Sequence, residues 1–141
     1  MTGGLDPATV QVVTISSDGD VVRVRQLVRT AAVTVKLSLV DQTKLVTAAS
    51  ELGRNTLVYG GGGSAEVTFV DSGRRRGVRV VFSDDGPGIA DLDLALTDGY
   101  TSGGGLGLGL SGARRLVDEF DIDTGAGRGT RVTITKWARS T

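Results

Sequence analysis

The sequence predicts an α/β two-layer sandwich: a mixed, mostly antiparallel sheet with its helices gathered on one face. Three observations point there. Five short runs rich in β-branched residues, at Val10–Ile15, Ala65–Val70, Val78–Ser83, Phe120–Thr124 and Thr130–Trp137, read as strands. Three longer segments carry apolar residues at helical spacing. The two middle strands are joined by Asp71-Ser72-Gly73-Arg74-Arg75-Arg76-Gly77, which makes an antiparallel hairpin with a basic tip. At 141 residues, with neither repeat nor linker, residues 9–141 form one domain behind a flexible tail at 1–8.

Taken in order, the first strand ends at Ser16-Ser17-Asp18-Gly19-Asp20, a turn able to supply an N-cap. A helix follows over Val21–Ala32, with Val24, Leu27, Val28 and Ala31 inward and Arg23, Arg25 and Arg29 on the other face. Ser38 and Asp41 mark the start of a second helix, Val40–Tyr59. Its core stripe is Leu45, Ala49, Leu52 and Thr56, and Gly60–Gly63 ends it. Glu51, Asn55 and Tyr59 recur every four residues and so share a neighbouring, polar face. Asp91–Asp98 reads as a short helix. Leu108–Glu119 is the third long helix, with Leu110, Ala113, Leu116, Val117 and Phe120 inward.

Composition removes several classes of chemistry. Basic and acidic side chains balance at 16 each, so no global field draws the chain to nucleic acid or a membrane. Cysteine and histidine are both absent, which excludes disulfides, the usual zinc sites and histidine-based catalysis. No apolar run approaches the roughly 20 residues of a membrane span. The first residues have neither the basic region nor the apolar core of a signal peptide, so the expected location is the cytoplasm. The 22 glycines are the anomaly: they cluster at 60–63, 86–88, 99–112 and 125–129, a pattern of specialised loops rather than general disorder.

Chemistry concentrates at two of these clusters. Asp84-Asp85-Gly86-Pro87-Gly88 closes a strand in carboxylates, and Asp84 is placed to accept a hydrogen bond from an exocyclic amine. Gly103-Gly104-Gly105-Leu106-Gly107-Leu108-Gly109-Leu110 leads into a helix, where glycine backbone N–H groups are open to an anion. It lacks the Gly-Lys-Ser/Thr ending of a Walker loop and does not follow the first strand of a parallel unit, as a dinucleotide fingerprint would. On the second helix, Glu51-x-x-x-Asn55 puts a potential base one turn before an amide oxygen suited to Mg²⁺. Alone, that pair is equally an ordinary polar helix face, the Asp-Gly-Pro-Gly segment an ordinary turn, and Gly129-Thr130 a simple entry to a strand.

In order, these four motifs resemble the GHKL ATPase/kinase superfamily with its Bergerat ATP-binding fold, over about Val10 to Trp137. The wording of Ser50-Glu51-Leu52-Gly53-Arg54-Asn55, Gly105–Leu110, Arg115–Phe120 and Lys136-Trp137 looks like the RsbT-like serine/threonine kinases of partner-switching stress modules. The resemblance implies ATP and Mg²⁺ as cofactors. Glu51 would be the general base and Asn55 the Mg²⁺ ligand. Asp84 would accept the adenine amine, with Gly86 and Gly88 shaping that pocket and Thr130 behind it. Gly105, Gly107, Leu108 and Gly109 would contact the phosphates, with Thr101 and Ser102 adding hydroxyl contacts from a lid. The implied substrates are STAS-domain proteins of the RsbS/RsbR kind, and the implied partner is a PP2C-type phosphatase of the RsbU kind. Two other readings remain open: an anti-sigma factor kinase of the RsbW/SpoIIAB type, and a non-catalytic ATP-binding switch. The second draws on Gly60–Gly63, a loop with no cation where relatives commonly carry a lysine.

Overall fold

A computed structural model describes residues 10–89, 96 and 109–139. Five strands form one sheet: β1 (Gln11–Ile15), β2 (Gly63–Asp71), β3 (Arg76–Asp84), β4 (Glu119–Thr124) and β5 (Thr130–Trp137). Their spatial order is β1-β2-β3-β5-β4, and every pairing is antiparallel. The sheet among the described residues is therefore not mixed, because each pair is joined by a hairpin or a crossover that reverses direction.

Helix α1 (Asp18–Thr34) is capped by Ser17, whose side chain accepts from Asp20 N. Asp20 closes the turn in return, since Ser16 N and Ser16 Oγ donate to its Oδ2 at 2.9 and 3.0 Å. The N–H of Ser16 and the Arg23 guanidinium hold the Asp20 carboxyl well below the usual carboxylate range. At the other end Lys36 adopts a left-handed conformation (φ 65°), while Leu37 N reaches back to Ala32 O at 3.0 Å. That closure lets α2 (Leu39–Val58) start at once, capped by Ser38, and pack antiparallel on α1.

The core lies between these helices and one sheet face. Val24, Val28 and Ala31 of α1 and Leu45, Ala49, Leu52 and Thr56 of α2 are buried against Ala65, Val67, Val78, Val80, Phe82, Val132 and Ile134. Leu27, expected inward, is only half-buried; Val21 and Ala32 take its place because the helix begins three residues earlier than its apolar run. The third helix is shorter than its apolar spacing suggests: α3 spans Gly109–Arg115. Leu116 N bonds Ala113 O and tightens the last turn, and Asp118 N then donates to Thr135 O, so strand pairing takes over before the helical pattern ends. Leu110 and Ala113 are buried, while Leu116, Val117 and Phe120 pack on the core from its edge. The segment 91–98 expected as a short helix lies outside the described residues except for Leu96, which is in a turn.

At the end of the sheet away from Asp84, a buried ion cluster ties α2 to β5. Lys136 Nζ lies 3.6 Å from Asp41 Oδ1 and 3.4 Å from Asp118 Oδ1, and Arg139 Nε lies 3.5 Å from Asp41 Oδ2. Asp118 also accepts from Trp137 N at 2.8 Å. The N-terminal turn of α2 is thereby fixed to the sheet, which sets where its C-terminal half, carrying Glu51 and Asn55, comes to rest.

Candidate active site

Strand register alone assembles the centre of the site. Asp84, the last residue of β3, faces Gly63 of β2 on one side and Thr130 of β5 on the other. The end of α2 comes to the same place. Asn55 O accepts from Tyr59 N (2.9 Å) and Gly60 N (3.1 Å), and Thr56 O accepts from Gly62 N (2.9 Å). These bonds fold the chain back sharply after the helix and lay Gly60 against the Asp84 side chain. A Cβ built on Gly60 would collide with the Asp84 carboxyl, with Oδ2 at 2.5 Å. Gly129 is in the same position on the other side: its φ is +27°, and a Cβ there would strike Asp84 O. Both positions demand glycine because one backbone must close on the Asp84 carboxylate and the other on its backbone carbonyl.

The two Asp84 oxygens differ. Oδ1 accepts from Gly86 N at 2.9 Å, which starts the turn after β3. Oδ2 accepts no hydrogen bond from the described residues and lies against Gly60, which has no side chain. The following loop lies on the β4–β5 turn. Gly129 N donates to Gly86 O (3.1 Å), Gly127 N to Pro87 O (2.7 Å), and Ile89 N to Thr124 Oγ1 (2.9 Å). Gly88 meets Gly125 O within that contact.

The structure thus brings Asp84, Gly86 and Thr130 together, with Gly88 against the adjoining β4–β5 turn and Asn55 joined to the same place through its backbone oxygen and Gly60. Glu51 stands one turn before Asn55 on α2, half-buried like it, while Leu52, Gly53 and Thr56 between and beyond them are buried. Gly109 opens α3 with φ +68°, and α3 packs against α2, the helix that carries Glu51 and Asn55. Thr101, Ser102, Gly105, Gly107 and Leu108 lie outside the described residues. Two participants were not singled out from sequence. In the sequence Gly60 reads as a helix stop and as part of a cation-free loop, not as a neighbour of Asp84; Thr124 gives no signal beyond being a hydroxyl at the end of a strand before a glycine turn.

The donor set fits a purine nucleotide. A carboxylate oxygen that no described residue engages, flanked by side-chain-free backbone, suits a flat ring bearing an amine, and Thr130 offers a hydroxyl beside it. Among the described residues no group of three or more His, Cys, Asp or Glu could hold a metal. A hard cation here would rest on Asn55 and on the oxygens of the ligand itself, as Mg²⁺ in phosphate sites commonly does.

Comparison with known proteins shows the family. Residues 40–140 match the family described as histidine kinase-, DNA gyrase B-, and HSP90-like ATPase. The chain is 40% identical over 127 residues to the serine/threonine-protein kinase RsbT of Bacillus subtilis (strain 168), covering 90% of this chain and 96% of that one. It is 29% identical over 103 residues to an anti-sigma F factor of Clostridium novyi (strain NT), covering 70% of this chain and 72% of that one. Among solved structures it superposes on the RsbU and RsbW domains of Rv1364c from Mycobacterium tuberculosis with a TM-score of 0.64 at 21% identity, covering 96% of this chain and 35% of that one. The mycobacterial sensor histidine kinase MprB gives a TM-score of 0.55 at 19% identity, covering 94% of this chain and all of that one (100%). At those identities the two structures speak for the fold alone.

Proposed function

The chain belongs to the histidine kinase-, DNA gyrase B-, and HSP90-like ATPase family and is a homologue of the serine/threonine kinase RsbT, and from that premise we propose that it transfers the γ-phosphoryl group of ATP to a serine or threonine of a protein partner. The observation that carries this reading is the convergence on Asp84 of Thr130 across the strand pair and of Gly60, whose N–H bonds Asn55 O at the end of the helix that also carries Glu51.

In this reading Asp84 Oδ2 accepts the adenine amine and Thr130 lies beside the ring. Asn55 would hold Mg²⁺, which when bound would neutralise charge on the phosphates. Glu51 accepts the proton of the substrate hydroxyl as its oxygen bonds to phosphorus and the bond to the departing ADP breaks. Gly105, Gly107, Leu108 and Gly109 supply phosphate contacts, assisted by Thr101 and Ser102. The substrates are STAS-domain proteins of the RsbS/RsbR kind, and the released kinase binds a PP2C-type phosphatase of the RsbU kind. Among the described residues no helix is long and apolar enough to cross a membrane, in keeping with action in the cytoplasm. Similarity to an anti-sigma F factor favours a second reading, a kinase that also holds a sigma factor.

The test is a transfer assay with Mg-ATP and candidate STAS proteins, comparing wild type with Glu51→Ala. Wild type is expected to phosphorylate one STAS protein and the variant to lose at least about a hundredfold in rate, the lower range for general-base catalysis. Equal transfer by the variant would remove Glu51 from its role. No transfer by wild type, together with stable capture of a sigma factor, would favour the second reading.

A further inference from the structure

We infer that Thr124 is a positioning residue of the base pocket, one that fixes the hydroxyl of Thr130 and the loop after Asp84 in a single arrangement. This rests on reading Asp84 and Thr130 as the base contacts. Thr124, Thr130 and Asp84 stand in one row across β4, β5 and β3, as cross-strand partners in turn. Thr124 is the outermost of the three, on the edge strand, and reaches the pocket only through its neighbours.

Its hydroxyl makes three contacts. Oγ1 accepts from Ile89 N at 2.9 Å, lies 2.9 Å from Thr130 Oγ1, and lies 3.2 Å from Gly129 O. A hydroxyl has one proton and two lone pairs, so these contacts constrain one another. Ile89 N occupies one lone pair. If Thr124 donates to Gly129 O, its second lone pair takes the Thr130 proton, and Thr130 turns only lone pairs towards the pocket. If Thr124 donates to Thr130 instead, the Thr130 proton is released for an acceptor on the ligand. In both arrangements Thr124 decides what Thr130 presents. It also holds Ile89 N, three residues beyond Gly86, whose own N–H is set on Asp84 Oδ1. Valine has the same shape and can do none of this: Ile89 N loses its acceptor and Thr130 loses its hydroxyl neighbour.

The experiment measures equilibrium binding of ATP and of inosine triphosphate, which carries a carbonyl where ATP has its amine. The proteins are wild type, Thr124→Val, Thr124→Ala, Thr124→Ser and Asp84→Asn, each checked for a cooperative melt. Thr124→Val and Thr124→Ala should bind ATP about tenfold more weakly, the effect of about one lost hydrogen bond, with a reduced preference for ATP over inosine triphosphate. Thr124→Ser should restore both to within about twofold, because it keeps the hydroxyl. If Asp84→Asn loses ATP but the Val and Ala variants bind as wild type does, the role given to Thr124 is wrong while the pocket stands. If both nucleotides weaken equally in those variants, Thr124 supports only the fold and the inference fails. If Asp84→Asn binds ATP like wild type, the base-pocket reading falls and takes this inference with it.

Discussion

Gly60 shows how much of this site is made by what a residue lacks. Its N–H is spent on Asn55 O, its Cα lies against the Asp84 carboxyl, and Gly86 packs on its backbone. A methyl group at position 60 has two ways out: it pushes the carboxyl aside or opens the turn after α2. Either displaces the oxygen left for a ligand. Gly60→Ala is therefore expected to weaken ATP binding at least about tenfold while the far-ultraviolet circular dichroism spectrum stays that of wild type, since no helix or strand contains the residue. Unchanged affinity, measured by calorimetric titration, would show that Asp84 can move without cost. The contact was invisible in the sequence because residues 60 and 84 meet only through strand register and a helix stop. Asp84, Asn55 and Glu51 stand out as candidates only through the order of the four motifs and the resemblance it carries, since each spacing alone is that of an ordinary turn or polar helix face.

At the scale of elements, two devices fix the helices, and each has a measurable signature. The Ser16–Asp20 turn starts α1, and its carboxylate is held below the usual range by the N–H of Ser16 first and by Arg23 next. A lowered folded-state pKa gives stability that is fully present above the ordinary carboxylate value, about 4, and is lost as pH falls below it. Asp20→Asn should thus lower the melting temperature at pH 7, and the gap to wild type should narrow as the pH is taken from about 5 towards 2. A constant gap across that range would mean that the charge contributes nothing. The second device is the buried pair Asp41–Lys136, both only 4% exposed. Removing Asp41 leaves the buried Lys136 ammonium with Asp118 as its remaining carboxylate: Asp41→Ala is expected to cost up to about 3 kcal/mol, the low end for breaking a buried pair, with the double variant Asp41→Leu/Lys136→Met costing less than that single change. Denaturant unfolding of both proteins checks the order; a double variant worse than Asp41→Ala would reverse the argument. Helix ends were the least legible features, for a physical reason. The apolar spacing of residues 108–120 continues past the point where Asp118 is claimed by β5, and pairing with a strand remote in sequence overrides a local period.

Over the whole molecule the functional end and the fastening end are separated along α2 and the sheet. The β4 edge carries Glu119, Asp121 and Asp123 on one face, charges that discourage pairing with another chain. The ion cluster of Asp41, Lys136 and Asp118 lies at the end of the sheet opposite Asp84. The architecture, strand by strand, could be read from alternation and turns; the all-antiparallel order could not, because β5 inserts between β3 and β4, and no local signal encodes which strand takes the middle place. The proposed kinase activity requires ATP to lie among Gly60, Asp84 and Thr130. The direct measurement is amide chemical-shift mapping of the protein titrated with Mg-ATP. Shifts concentrated at Gly60–Gly63, Asp84–Gly88 and Gly129–Thr130 are expected, abolished in Asp84→Asn. Shifts centred instead on the open sheet face, around Arg79, Thr133 and Thr135, or unaltered by Asp84→Asn, would contradict the account.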